Sequence, residues 1–303
     1  MNRIIISGAT GVIGNALVEL ANSLKMEIIL ILRPGSKKNI LMKQTDRISI
    51  IESDINTYCD IKSEKRDFDI FFHLAWAFTD KEGRNSFEKQ ALNVRYVEDA
   101  VRLAERFKCS IFVGSGSQAE YGRFNESISE EFEAKPETEY GKAKLEACIK
   151  SRKLCRKLGI KHIWPRIFSV YGPHDAESTL ILYLIRTLLK GEKPELSACT
   201  QNWDYLYSAD CARALFLLAE KGSNGEVYNI GGGECRKLIE YVKILRDVIN
   251  PKAQLGLGEV KTPPEGLMNL CADISKLKRD TGFMPQLNFE DGIKETIKWV
   301  KGV

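Results

Sequence analysis

The chain has 303 residues, 44% of them hydrophobic and 28% charged, with a formal net charge of +4. That length can bury a full core without staples, either as one large α/β domain or as a domain with a smaller companion. The mild, dispersed basic excess excludes the clustered basic face of a nucleic-acid binder, and no apolar run in the sequence reaches membrane-spanning length. Eight cysteines form no C-x-x-C pair and three histidines offer no zinc spacing, so no metal site is expected. Met-Asn-Arg leads directly into a strand, without the apolar core and cleavage site of a signal peptide. The expectation is a cytoplasmic protein whose thiols are reduced.

The first predicted element, RIIIS at 3–7, is continuously apolar after its first residue, as a strand covered on both faces must be. It opens into SGATGVIGNALVEL, where Gly8, Gly11 and Gly14 stand three apart ahead of an amphipathic helix over 12–24. Gly8 permits a tight turn, Gly11 lets backbone approach a pyrophosphate, and Gly14 lets the helix pack close to the strand. The helix N-terminus adds free N–H groups and a positive dipole end. Gly8, Thr10, Gly11, Val12, Ile13 and Gly14 are therefore the expected cradle of a dinucleotide.

The second strand, EIILIL at 27–32, ends in a base where an acid would grip the ribose diol of NAD. Arg33 lies nineteen residues after Gly14. A guanidinium there attracts the 2′-phosphate of NADP and can hold it with two parallel hydrogen bonds. Ser36, Lys37 and Lys38 could add donors; without a ligand they would be ordinary solvated loop residues. The third strand, RISIIES at 47–53, brings Asp54 and Ile55 beside the adenine, with Asp54 able to accept from its amino group.

Further strands are DIFFHLA at 69–75, SIFVG at 110–114 and KHIWPRIF at 161–168, separated by helix-like stretches at 84–107 and 139–158. This alternation predicts a parallel sheet with helices on both sides. After about residue 170, Pro173, Pro194, Pro251, Pro263, Pro264 and Pro285 punctuate shorter elements, which suggests a smaller second lobe. A helix and the strand EVYNIG within 205–230 would rejoin the first lobe. The expected division is 1–168 with 205–230 for the dinucleotide, and 169–204 with 231–303 for the substrate.

The chemistry concentrates in YGKAK, with Tyr140 and Lys144 one turn apart on a helix face. An ammonium beside a phenol favours the phenolate and makes a proton donor or acceptor for a carbonyl or alcohol. Upstream, SGSQAEYG supplies Ser117, able to donate to the same oxygen. A hydroxyl, a phenol and a lysine placed after a dinucleotide turn make a hydride-transfer site, the cofactor carrying the hydride and the protein the proton.

Together with FFHLAW, the helix carrying Asn93, PRIFSVYGPHD, WDYLYSADCARAL, GEVYNIGGG and DISKLKRDTGFMP, these motifs match in order nearly end to end. The chain resembles an extended short-chain dehydrogenase/reductase of the nucleotide-sugar epimerase/dehydratase family. The resemblance implies a Rossmann-type doubly wound sheet with a smaller C-terminal α/β substrate lobe. It implies Tyr140 as general acid/base, Lys144 on the nicotinamide ribose and Ser117 polarising the sugar oxygen. It implies a cofactor lining of Leu74, Ala75, Trp76, Asn93 and Ile167, with His73 structural. It also implies a nucleotide-diphosphate sugar as partner and a homodimer through the helices at 84–107 and 139–158.

Dehydratases of the family carry an acid pair directly after the Ser/Thr; here Gln118 and Ala119 stand there, and Glu120 is one place late. That argues against a 4,6-dehydratase. Two readings remain: an NADP(H)-dependent reductase of a 4-keto-6-deoxy sugar, favoured by Arg33, and a 4-epimerase retaining NAD(H). A silent dinucleotide-sensing regulator would have lost the Tyr/Lys pair. Ser169 and Trp203 replace residues that commonly contact the diphosphate, so the expected substrate contacts are Ser117, Gln118, Ser169 and Trp203, with Trp203 either stacking on the ligand or packed between lobes. Asp204 and Asp210 are expected to be structural.

Overall fold

Isoleucine, valine and aromatic side chains suit a pleated surface covered on both faces. In a computed structural model describing residues 2–62, 67–261 and 269–303, the apolar runs form β1 (Arg3–Ser7), β2 (Glu27–Leu32), β3 (Ile48–Glu52), β4 (Ile70–His73), β5 (Ile111–Val113), β6 (Gly116–Ser117), β7 (Lys161–Ile167) and β8 (Glu226–Ile230). Their order is β8-β7-β5-β4-β1-β2-β3, with β6 also paired to β7, and every pairing is parallel. The chain reverses its direction of travel between β1 and β4, which opens a ligand crevice at the carboxyl ends of those strands.

The flanking helices are α1 (Val12–Ser23), α2 (Lys81–Asn85), α3 (Phe87–Arg106), α4 (Glu139–Leu158), α5 (Leu180–Leu189), α6 (Ser208–Lys221), α7 (Leu238–Ile249), α8 (Ser275–Thr281) and α9 (Phe289–Lys301). Successive side chains of a strand face opposite ways. Ile4 and Ile6 join Leu17 of α1 and Leu215 of α6, while Ile5 joins Val97 and Val101 of α3 and Ala147 of α4. Each fully buried isoleucine contributes roughly 1.5–3 kcal/mol. A third cluster forms away from the sheet, from Leu184 of α5, Leu245 of α7 and Ile293 of α9.

Strand β7 carries Pro165, which has no N–H to donate. It falls in the break between the β5 pairing, over 161–163, and the β6 pairing, over 166–167. Gly114 and Ser115 lie at that break, so the chain leaves β5, crosses the gap and resumes pairing at Gly116.

Two buried aspartates tie distant segments together. Asp204 accepts from the N–H groups of Gly232 (2.8 Å), Gly233 (3.0 Å) and Ala272 (3.3 Å). Asp210 accepts from the N–H groups of Gln286 (2.9 Å) and Leu287 (3.0 Å) and pairs with Arg213. Pro263 and Pro264 lie outside the described residues.

One expectation is corrected. The structure joins Cys235 to Cys271, with Cα atoms 5.3 Å apart, rather than leaving every thiol reduced. That Cα separation is within the range a disulfide can bridge. The sequence could not signal it, because the partners are separated by 36 positions and meet only when the chain folds. Closing such a loop contributes about 3–4 kcal/mol in the chain-entropy account. Thiol titration of the denatured, unreduced protein should therefore return the six free cysteines and not all eight; eight reactive thiols would refute the bridge.

Candidate active site

The crevice at the ends of β1, β2 and β4 is a cleft of about 390 Å³. Its lining includes Gly8, Thr10, Gly11, Arg33, Ser36, Asp54, Ile55, Leu74, Ala75 and Trp76. Gly8 has φ +73°, and a Cβ there would meet the Ala75 nitrogen at 2.7 Å. Only glycine lets the turn come that close to the end of β4. Helix α1 starts immediately afterwards with Gly11 as N-cap and no side-chain capping bond, so its first N–H groups face the cleft unsatisfied by a cap. A dinucleotide pyrophosphate fits this cradle.

Arg33 and Lys38 line the end of the cleft at β2; among the described residues no carboxylate lies within ion-pair distance of either, although Lys38 pulls against the burial that raises the Asp175 carboxyl. Lys37 does not line the cleft: a tight helical turn over Lys37–Leu41 brings Lys38 and Asn39 to it instead. Asn39 donates to the Arg33 carbonyl (2.9 Å) and fixes the loop.

A second cleft of about 430 Å³ continues from the glycine turn. Val12, Ile13 and Gly14 line it with Ser117, Gln118, Tyr140, Lys144, Ile167 and Ser169. Lys144 is buried; its Nζ donates to the Ser115 carbonyl (2.6 Å), at the break opposite Pro165, and sits 3.6 Å from the centroid of the Trp76 ring. Burial pushes its ammonium down to about 7, with Glu120 opposing and Arg84 adding to the drop. Burial also pushes the Tyr140 phenol up, while the Arg84 guanidinium and the Ser117 hydroxyl pull it back. Arg84 lies 4.4 Å from the Tyr140 ring centroid and Lys144 5.7 Å. The cation nearest the phenol ring is thus Arg84, because Lys144 is drawn onto Ser115 and Trp76.

Ser117 is positioned from one side by Glu120. The segment Gln118–Glu120 is a single tight turn in which the Ser117 hydroxyl accepts from Ala119 N–H (3.2 Å) and Glu120 accepts from Ser117 N–H (2.9 Å). Glu120 also accepts from Trp164 Nε1 (3.0 Å) and pairs with Arg166 Nε (2.8 Å), completely buried. It therefore points away from the reacting cleft, as its late position in the sequence suggested, although through a helical turn and not a strand.

A family model, "NAD dependent epimerase/dehydratase family", matches residues 4–231. The chain belongs to that family. Over nearly its full length it is similar to "Uncharacterized UDP-glucose epimerase YtcB" of Bacillus subtilis (strain 168), 27% identical over 322 aligned positions that cover 99% of this chain and 98% of the relative. A dTDP-glucose 4,6-dehydratase of Escherichia coli is 34% identical over 184 positions, covering 57% of this chain and 51% of that protein. Among solved structures, the UDP-glucose 4-epimerase of Thermotoga maritima superposes with a TM-score of 0.88 at 22% identity, covering 100% of this chain and 99% of that one. At that identity the likeness shows the fold.

Within this family member, two expected contacts lie elsewhere. Asn93 is fully buried and uses both ends of its amide on the Ala77 backbone, accepting at 2.9 Å and donating at 3.0 Å. It holds the strand end that carries Trp76 and lines none of the clefts described here. Trp203 lines none of them either; it packs against two apolar clusters and bridges to Leu270, which does line the reacting cleft. His73 is buried beside Ser7 (2.9 Å), and burial pushes its imidazole down to about 3. Arg84 and Thr79 escaped the sequence reading because they belong to short, aperiodic segments without a motif; Ser115 lies within SGSQAEYG, but its part is played by a backbone carbonyl that accepts from Lys144.

Replacing Glu120 by Gln would turn an amide NH2 toward at least one of its three donors and leave Arg166 buried without its anion. Loss of about 3–5 kcal/mol is expected in denaturant titration; a change below about 1 kcal/mol would contradict the pairing. Lys144 supplies a pH test. Its folded value of about 7 lies below the ordinary 10.5. Between those values the unfolded chain holds a proton that the folded chain has shed, so stability rises with pH across that window. Below about 7 both states are charged and the full cost of burying the ammonium applies. Calorimetry of the cofactor-free protein should show Lys144→Met raising Tm more at about pH 6 than at about pH 10. Equal increments at the two pH values would contradict the burial argument.

Proposed function

We propose that this protein interconverts C4 epimers of a nucleotide-linked sugar, using a nicotinamide dinucleotide held in the glycine-turn cleft. The observation that carries this reading is the removal of Glu120 into its pair with Arg166. The described residues that line the cleft around Ser117 then offer serine and threonine hydroxyls, one phenol, Lys144 and Arg84, and no carboxylate. That set can move a hydride and a proton at a single carbon. Elimination of water across C5–C6 needs a further acid and base. The end-to-end similarity to a protein named as a UDP-glucose epimerase supports the epimerase over the reductase.

The dinucleotide would supply the hydride acceptor and donor. Tyr140 would take the proton of the C4 hydroxyl and return it after the sugar has turned its other face, with Ser117 hydrogen-bonded to the same oxygen. The guanidinium of Arg84 and the ammonium of Lys144 stabilise negative charge on the phenol.

A second reading rests on Arg33, Ser36 and Lys38. The two cations favour a 2′-phosphate, hence NADP(H), and an exchangeable cofactor suits a reductase of a 4-keto-6-deoxy sugar. Phe87 and Leu92 on α3 and Ile149 on α4 remain exposed, which supports a homodimer through these helices.

Proton NMR of UDP-, dTDP-, GDP- and CDP-hexoses incubated with the protein and NAD should show epimer formation without net cofactor reduction. Net consumption of NADPH against 4-keto-6-deoxy sugars, with no epimerisation, would favour the reductase instead. Tyr140→Phe should lower kcat at least about 100-fold while cofactor binding, followed by fluorescence, persists. Arg33→Asp should shift cofactor binding from NADP toward NAD; an unchanged preference would remove Arg33 from phosphate recognition.

A further inference from the structure

A third pocket of about 480 Å³ opens off the reacting cleft on the side away from the glycine turn. It shares Thr79, Arg84, Ser117, Gln118 and Tyr140 with that cleft, so whatever enters it is continuous with the reacting carbon. Its own charged lining is Lys81, Arg123 and Glu137. Arg123 and Glu137 neutralise each other at 3.0 Å. Lys81 and Arg84 stand three apart on α2 and, among the described residues, have no carboxylate partner. The acid between them, Glu82, is already held by Lys89 at 2.7 Å. The pocket is therefore net positive beside the reacting group.

Gln118 adds an independent sign of a ligand. Its Oε1 is buried without a hydrogen-bond partner among the described residues. A buried acceptor left unmade is costly, and a turn of this side chain into the pocket it lines would let it accept from a sugar hydroxyl. A hydroxyl at Gln118 and an anion at Lys81 and Arg84 describe a polyol carrying an acid. The planar guanidinium of Arg84 suits the two oxygens of a carboxylate.

We propose that this pocket is a subsite for a carboxylate on the sugar, so that the substrate class is a nucleotide-linked sugar acid. The proposal rests on the epimerase reading. The anion sits on the glycosyl group, because the pocket joins the cleft at the reacting carbon through Ser117 and Tyr140. A diphosphate in the same pocket is the competing occupant, and the experiment separates the two.

The full-length protein, loaded with its dinucleotide, is assayed by NMR on UDP-glucuronate and UDP-glucose, in the native form and as Lys81→Gln. Lys81 is exposed, and equal Tm values check that the variant folds. The expected result is a kcat/KM at least tenfold higher for the uronate, with that ratio falling at least fivefold in Lys81→Gln. Turnover of the hexose with no preference for the uronate, or a preference untouched by the substitution, overturns the subsite and leaves the epimerase reading standing. Equal loss on both sugars assigns the pocket to the diphosphate and also overturns the subsite. Turnover of neither sugar here, together with none of the dTDP-, GDP- and CDP-hexoses tested above, overturns the epimerase reading and the subsite with it.

Discussion

Glu120 has no contact with solvent, and the reacting cleft is arranged around what that carboxylate must accept. An unpaired charge at such a position would be prohibitive. Three donors answer it: the Ser117 backbone, the Trp164 indole and the Arg166 guanidinium. Each donor fixes a different part of the site. Ser117 N–H sets the turn that presents the hydroxyl. Trp164 and Arg166 lock β7, whose end supplies Ile167 and, two residues on, Ser169. Gly116 is required for this approach, since a Cβ there would lie 2.5 Å from the Trp164 indole nitrogen and 2.7 Å from the Glu120 carboxylate.

The same carboxylate sets the electrostatic balance. Arg166 neutralises it directly, and it still counters part of the burial cost of Lys144. What is left near the phenol is a positive excess from Arg84 and Lys144. Neutral sugars do not need that excess for binding, but an alkoxide or phenolate does. A site that handles a proton at one oxygen gains from nearby cations, above all from buried Lys144, whose field is less screened than that of exposed Arg84.

Much of this architecture was legible in the residues themselves. EIILIL and RIIIS could only be strands covered on both faces, and both are. SGATGVIG could be read because close backbone approach demands glycine, and a Cβ on Gly8 would lie 2.7 Å from the Leu74 and Ala75 backbone just past β4. Other features depend on how distant pieces meet. Whether Lys37 or Lys38 turns inward depends on one tight turn that no periodicity announces. Arg84 sits on a five-residue helix, too short to show a face, and becomes significant only when it lands on Tyr140. Asn93 is placed in the right neighbourhood by its helix, yet its amide is bonded to Ala77 backbone and so supports the strand end without facing the cleft.

The rigid and variable sides of the cleft differ for a physical reason. On the dinucleotide side, Asn229 of β8 binds the Tyr121 hydroxyl (2.7 Å) and the Ile128 carbonyl (2.8 Å), so the chain following Ser117 is anchored to the sheet. On the far side, Asp204 and Asp210 bind backbone N–H groups of loops rather than strands of the central sheet. Loop backbone can change length and composition without disturbing a parallel sheet. Leu270, which lines the reacting cleft from that side, meets Trp203 through an isolated bridge, while Ser169 is held in a short parallel pairing with Tyr205. Under the proposed function, proton and hydride handling falls to the anchored wall. Choice of sugar belongs to whatever the loops and α2 place opposite it, which is why the unpaired charges of Lys81 and Arg84 carry more information about substrate than the trio does.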